Sequence, residues 1–237
     1  MAEQAGSIVP AEVARFDALA GQWWDPAGPM LPLHQMNPAR IGWIAERLGT
    51  RFGAAPVRLL DVGCGAGLAA EALARRGHQV LGIDAAGAAL AAAEAHAAGQ
   101  GLPLAYRGAT AEALVAEGAR FPAVTALEVL EHVADPAAFL RTLARLLEPG
   151  GLLFVSTVNR TGRSLLTAKL GAEYVLRWLP AGTHDWRRFV TPAELDTYLR
   201  AAGLRLADIA GLLPEKLRGG WRTGRDVGVN YIAMAEG

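Results

Sequence analysis

Asp61-Val62-Gly63-Cys64-Gly65-Ala66-Gly67 is the sharpest local signal in the chain. Glycines at alternate positions let the backbone turn tightly and let a ligand lie against it with no Cβ in the way. Asp84 stands at the end of the next apolar run, where a carboxylate can accept both hydroxyls of a ribose. Loop and carboxylate together point to a cofactor with an adenosine part. The spacing is G-x-G-x-G with an acid ahead of it. A dinucleotide fingerprint runs G-x-G-x-x-G and leaves a helix N-terminus to the pyrophosphate, so a nicotinamide-dependent oxidoreductase is disfavoured. Cys64, inside the loop, reads as a small packed residue rather than a redox centre.

The second group is Glu128, Glu131 and His132, in Glu128-Val129-Leu130-Glu131-His132 at the end of another apolar run. Two carboxylates and an imidazole suit a divalent cation with open positions. The imidazole alone, with an ordinary pKa of about 6.5, suits proton removal near neutrality. The same string also serves simply to shape a pocket, and the residues alone leave all three readings open.

Both groups need a scaffold that brings strand ends together. Apolar runs at 57–62, 79–83, 123–129 and 152–157, and a weaker one at 104–107, predict strands. Helical patterns at 67–76, 85–98 and 136–147 fall between them, the last with Pro136 in its first turn. Pro149-Gly150-Gly151 breaks that helix. Thr191 with Glu194 predicts a capped helix start, and strands near 204–209 and 227–235 bring the total to seven. Alternating strands and helices predict an α/β, Rossmann-like domain over 1–237, its sheet mostly parallel and seven-stranded with helices on both faces. An N-terminal helical cover (10–50), a cofactor-binding core (51–157), an insertion after the fifth strand (158–190) and a C-terminal helix and strands (191–237) divide it.

Composition bounds the function. With 23 Lys+Arg against 23 Asp+Glu in 237 residues, the chain is formally neutral, which argues against a nucleic-acid partner held through its phosphates. One cysteine excludes an internal disulfide and a zinc site built on several thiolates. No apolar run of about 18 residues predicts a membrane span, and residues 1–14 have neither the charge nor the apolar core of a signal peptide. The expected setting is cytoplasmic.

The glycine loop with its acids resembles motif I of class I S-adenosylmethionine-dependent methyltransferases. The likeness extends through Trp23-Trp24-Asp25, Pro32-Leu33-His34, Asn37-Pro38, Arg40, the Glu128–His132 string and Ser156-Thr157-Val158-Asn159-Arg160. It continues through Gly171–Tyr174, Gly182–Asp185, Thr191–Leu195 and Asp226–Tyr231. In that order, over about 220 residues, the chain resembles the ubiquinone biosynthesis O-methyltransferases. The resemblance implies methyl transfer from S-adenosylmethionine to hydroxyls of polyprenylated phenols and demethylubiquinol. It implies cofactor contacts at Arg40, Gly63, Asp84 and Leu127, beside Asp61, Gly65 and Gly67 of the loop. Family members commonly carry Met where Leu127 stands, a swap that conserves volume. It also implies a divalent cation, magnesium or zinc, on Glu128, Glu131 and His132.

Between 160 and 188 stand six basic residues against two acidic, an excess of +4, beside Leu, Val, Trp and Tyr. This predicts contact with anionic lipid at the inner face of the membrane, or a lid that packs on the body. Two rivals remain at this level: a methyltransferase for another small phenol or amine, and a non-catalytic cofactor-binding subunit among other quinone-biosynthesis proteins. The second should have lost the Glu/His cluster, which is intact.

Overall fold

The computed structural model describes residues 6–165, 186–215 and 220–237. Strands β1 (Arg58–Val62), β2 (Gln79–Asp84), β3 (Leu104–Gly108), β4 (Phe121–Leu127) and β5 (Leu147–Val158) run parallel. Each is joined to the next through a helix, which returns the chain to the same end of the sheet. These helices are α3 (Leu68–Ala74), α4 (Gly87–Ala97), α5 (Ala111–Ala116) and α6 (Pro136–Arg145); α1 (Pro10–Leu19) and α2 (Leu31–Phe52) precede them. After α7 (Pro192–Ala201), strands β6 (Arg205–Pro214), β7 (Trp221–Gly224) and β8 (Asn230–Glu236) add antiparallel. The order across the sheet is β3-β2-β1-β4-β5-β8-β6-β7.

The period-two alternation of buried strands sorts the core into two layers. Leu60, Val124, Leu153 and Val155 face Phe139, Leu140 and Leu143 of α6 and Leu195 and Leu199 of α7. Their neighbours Leu59, Ala123, Leu152 and Phe154 face Ile41, Ile44 and Leu48 of α2 and Leu73 of α3. A doubly wound α/β sheet results, as the alternation of elements predicts.

Three details depart from the sequence reading. The sheet has eight strands, because β7 pairs with β6 in a short edge hairpin, Pro214 opposite Trp221 and Gly211 opposite Gly224. Trp-Arg-Thr-Gly shows no alternation of its own, so pairing rather than propensity makes it a strand. Strand β5 begins at Leu147, before Pro149-Gly150-Gly151, and the pairing of β4 with β5 shifts register at that point. Strand β4 stops at Leu127 rather than 129, since Glu128 takes φ +57°, the one positive φ outside glycine among the described residues. The predicted capping box at Thr191 and Glu194 is present. Of the basic insertion, residues 166–185 lie outside the described residues.

Candidate functional site

The order 3-2-1-4-5 reverses direction between β1 and β4, and open α/β sheets bind ligands in the crevice beyond such a reversal. The glycine loop leaves β1 there, and Glu128–His132 leaves β4. Both line one cavity of about 390 Å³. That volume falls within the range of roughly 300–1,000 Å³ of small-molecule sites.

The loop's shape explains its glycines. Gly63, Gly65 and Gly67 have φ of +70°, +53° and +87°. A Cβ on Gly65 would sit 2.4 Å from the Trp23 ring, and one on Gly67 would sit 1.9 Å from the Tyr106 hydroxyl. Asp84 organises the turn from the side: Oδ2 accepts the Gly65 N–H at 2.8 Å and Oδ1 the Ala86 N–H at 2.8 Å. Each oxygen keeps a further lone pair for a ligand hydroxyl. Burial pushes the Asp84 carboxyl up from its ordinary value.

Gly63, Gly65, Asp84 and Leu127 line the cavity, while Asp61, Gly67 and Arg40 are not among its lining residues. Asp61 is buried between β1 and β4, where it accepts a 2.6 Å hydrogen bond from Thr125 Oγ1, and burial pushes its carboxyl up to about 6. Arg40 is buried on α2 and donates to Asn37 Oδ1 at 3.2 Å; Asn37 donates in turn to the Leu68 carbonyl at 2.9 Å. Its guanidinium lies 3.9 Å from Glu128. Arg40 and Asp61 thus form a buried charged layer beneath the loop.

At the other wall the three predicted ligands line the cavity, but their side chains are engaged separately. Glu128 accepts from Ser156 Oγ at 2.6 Å, Glu131 accepts from Thr157 Oγ1 at 2.6 Å, and His132 Nδ1 pairs with Glu12 at 2.9 Å. Among the described residues no three His, Cys, Asp or Glu side chains converge into a ligand set. As arranged, therefore, the expected cation ligands do not fit one ion. Burial, and then the charge of Glu128, push Glu131 up to about 8. Burial lowers His132, and Glu12 opposes that shift.

The N-terminal segment forms the rest of the wall. Val9, Glu12, Phe16, Trp23, Met30 and Met36 line the cavity. Asp17 of α1 accepts the N–H groups of Ala88 and Ala89 at 2.8 and 3.4 Å, capping α4, which has no side-chain cap of its own. The Trp24 indole donates to the Ala66 carbonyl at 2.9 Å and stacks on His96, ring centroids 3.4 Å apart. His96 pairs with buried Glu71 at 2.7 Å. Trp23 and Trp24 are the apolar anchors that a covering segment requires. Glu12 and Asp17 carried no sequence signal, because each is a lone acid whose partner lies far along the chain.

Residues 33–209 match the family described as methyltransferase domain. The ubiquinone biosynthesis O-methyltransferase of Methylobacterium nodulans is 50% identical over 245 aligned positions, covering 100% of this chain and 98% of its own length. The protein of the same name from Caulobacter vibrioides is 50% identical over 95% of this chain and 93% of its own. Among solved structures, magnesium protoporphyrin IX methyltransferase from Synechocystis PCC 6803, with bound SAH, superposes with a TM-score of 0.66 at 19% identity, covering 94% of each chain. A SAM-dependent methyltransferase from Thermotoga maritima gives 0.66 at 16% identity, over 93% of this chain and 97% of its own. At those identities the two structures speak for the fold alone.

Proposed function

The chain belongs to the ubiquinone biosynthesis O-methyltransferases, S-adenosylmethionine-dependent enzymes with the methyltransferase domain, and on that premise we propose how its residues divide the reaction. The observation that carries the proposal is that the glycine loop with Asp84 and the segment with His132 bound a single cavity. The loop fits the cofactor: Gly63 and Gly65 both line the cavity, Gly63 exposed and Gly65 close under the Trp23 ring, and Asp84 offers acceptors for ribose hydroxyls. Leu127 supplies an apolar contact for the adenine side. When bound, S-adenosylmethionine supplies a methyl group activated on a sulfonium sulfur.

The acceptor is a phenolic hydroxyl of a polyprenylated quinone precursor. A phenol has a pKa near 10, so its oxygen is a poor nucleophile at neutral pH until the proton leaves. His132 takes that proton as the oxygen gains the methyl, and the imidazolium then releases it to solvent. Phe16, Trp23 and Met30 keep water from the reacting groups, and the fixed walls supply alignment. No step is routed through a metal, because the side chains of Glu128, Glu131 and His132 do not converge into one ligand set. A cavity of about 390 Å³ holds a cofactor and a ring but not a long tail, so the prenyl chain leaves it. The basic excess over 160–188 supports delivery of that tail from an anionic lipid surface.

The test is methyl transfer from labelled S-adenosylmethionine to a short-tailed demethylubiquinol, with and without EDTA. Product formed equally in both supports the division of roles. Product that is lost with EDTA and restored by Mg²⁺ or Zn²⁺ returns Glu128, Glu131 and His132 to ligand roles. Absence of product despite cofactor binding overturns the proposed substrate.

A further inference from the structure

We infer that Glu12, on the covering helix α1, is a positioning residue for His132, so that the proton acceptor is fully oriented only while α1 is docked. This rests on the proton-acceptor role proposed above for His132. Glu12 and Phe16 stand one turn apart on α1, at i and i+4, and so present one face of the helix. The Glu12 carboxylate meets His132 Nδ1 at 2.9 Å. The Phe16 ring meets the imidazole edge-on, with centroids 5.1 Å apart and planes at 86°. A hydrogen bond in the ring plane and an aromatic contact together hold the imidazole's rotation. The pair is largely out of water, with side-chain exposures of 14% for His132 and 22% for Glu12.

The chemistry of the pair assigns the tautomer. An ionised carboxylate only accepts, so Nδ1 carries the hydrogen and the basic lone pair lies on Nε2. The carboxylate also stabilises the imidazolium that forms as the phenol loses its proton, without itself taking that proton. Two guanidiniums stand close by: Arg15 lies 3.6 Å and Arg188 3.9 Å from Glu12. Removing Glu12 would leave the imidazole beside two cations that oppose its protonation.

Docking of α1 does not itself depend on Glu12 alone. Asp17 holds it to α4, Ser7 donates to Glu112 at 3.1 Å, and the Ser7 carbonyl accepts from Ala134 at 3.0 Å. Removal of Glu12 can therefore be read apart from loss of the cover.

The experiment is a double-mutant cycle on the full chain, Glu12→Ala, His132→Ala and the pair, with kcat, KM for a short-tailed demethylubiquinol and S-adenosylhomocysteine affinity measured for each. Glu12→Ala should lower kcat at least tenfold while KM and cofactor affinity stay within about twofold. In the His132→Ala background the same change should cost nothing further, since a positioning residue acts only through its partner. Glu12→Gln, which keeps an acceptor but no charge, should recover part of the loss and also serves if the alanine variant folds poorly. Unchanged kcat in Glu12→Ala, or a loss that adds to that of His132→Ala, would overturn the inference. Unchanged kcat in His132→Ala would instead remove the proton-acceptor reading on which it stands.

Discussion

Asp84 sits where three demands meet: it turns the glycine loop, starts α4 and faces the cavity. Charge-assisted hydrogen bonds to a ligand contribute about 1.5–3 kcal/mol each. Asp84→Ala should therefore weaken S-adenosylhomocysteine binding on the order of 10- to 100-fold by calorimetry, and equal affinity would place the ribose elsewhere. Glu131 makes a different prediction. Unfolded, it gives up its proton near the ordinary value of about 4.3; folded, burial and the Glu128 charge hold that proton to about 8. Between those values the folded state binds more protons, so this group's contribution to stability declines as pH rises. Glutamine has no such proton to lose, so Glu131→Gln should gain in melting temperature on the wild type from about pH 5 to about pH 9. Parallel curves would show that Glu131 is ionised in the fold. Gly63, Gly65 and Asp84 were legible in the sequence because the glycine loop and the acid follow apolar runs at strand ends; His132 was legible only as part of the Glu128–His132 string, whose role the residues left open. Glu12 was not, since its partner is reached only by folding the cover across the sheet.

Helix ends and strand edges show the same division. The box of Thr191 and Glu194 closes within four residues, so the start of α7 could be read directly. The cap of α4 spans from Asp17 to Ala88 and could not. Thr191→Ala should destabilise the fold by about 1 kcal/mol, a fall in Tm of roughly 2–4 °C for a chain of this size. Activity should be kept, because α7 packs through Leu195 and Leu199 against the layer of α6, away from the cofactor loop. A larger fall, or lost turnover, would give α7 a role in the site. Strand β7 escaped the sequence reading because an edge strand of four residues need not alternate. The early end of β4 escaped it too, because nothing about a glutamate announces a positive φ. That turn at Glu128 is nonetheless what swings Glu131 and His132 off the sheet and into the cavity wall.

At the scale of the whole molecule, strand order decides where chemistry can occur; the alternation of elements foretold a mostly parallel sheet with helices on both faces, while the order itself came from the structure. The cover over 10–50 was expected as a shield; its use of acids to reach both walls belongs to tertiary structure alone. No helix among the described residues is long and apolar enough to cross a membrane. The carboxylate of Asp17 has a consequence for cofactor exchange. It satisfies two amides of a helix that begins just beyond Asp84, yet it belongs to a wall that separates the cavity from solvent. If that wall lifts, the first turn of α4 loses the two hydrogen bonds that Asp17 accepts, beside the loop that receives the cofactor. Cofactor exchange that lifted α1 would thereby be coupled to one helix end. Hydrogen–deuterium exchange reads this directly: the amides of Ala88 and Ala89 should exchange faster in Asp17→Ala and slower when S-adenosylhomocysteine is added to the wild type. Unchanged exchange would show that α4 keeps its own end.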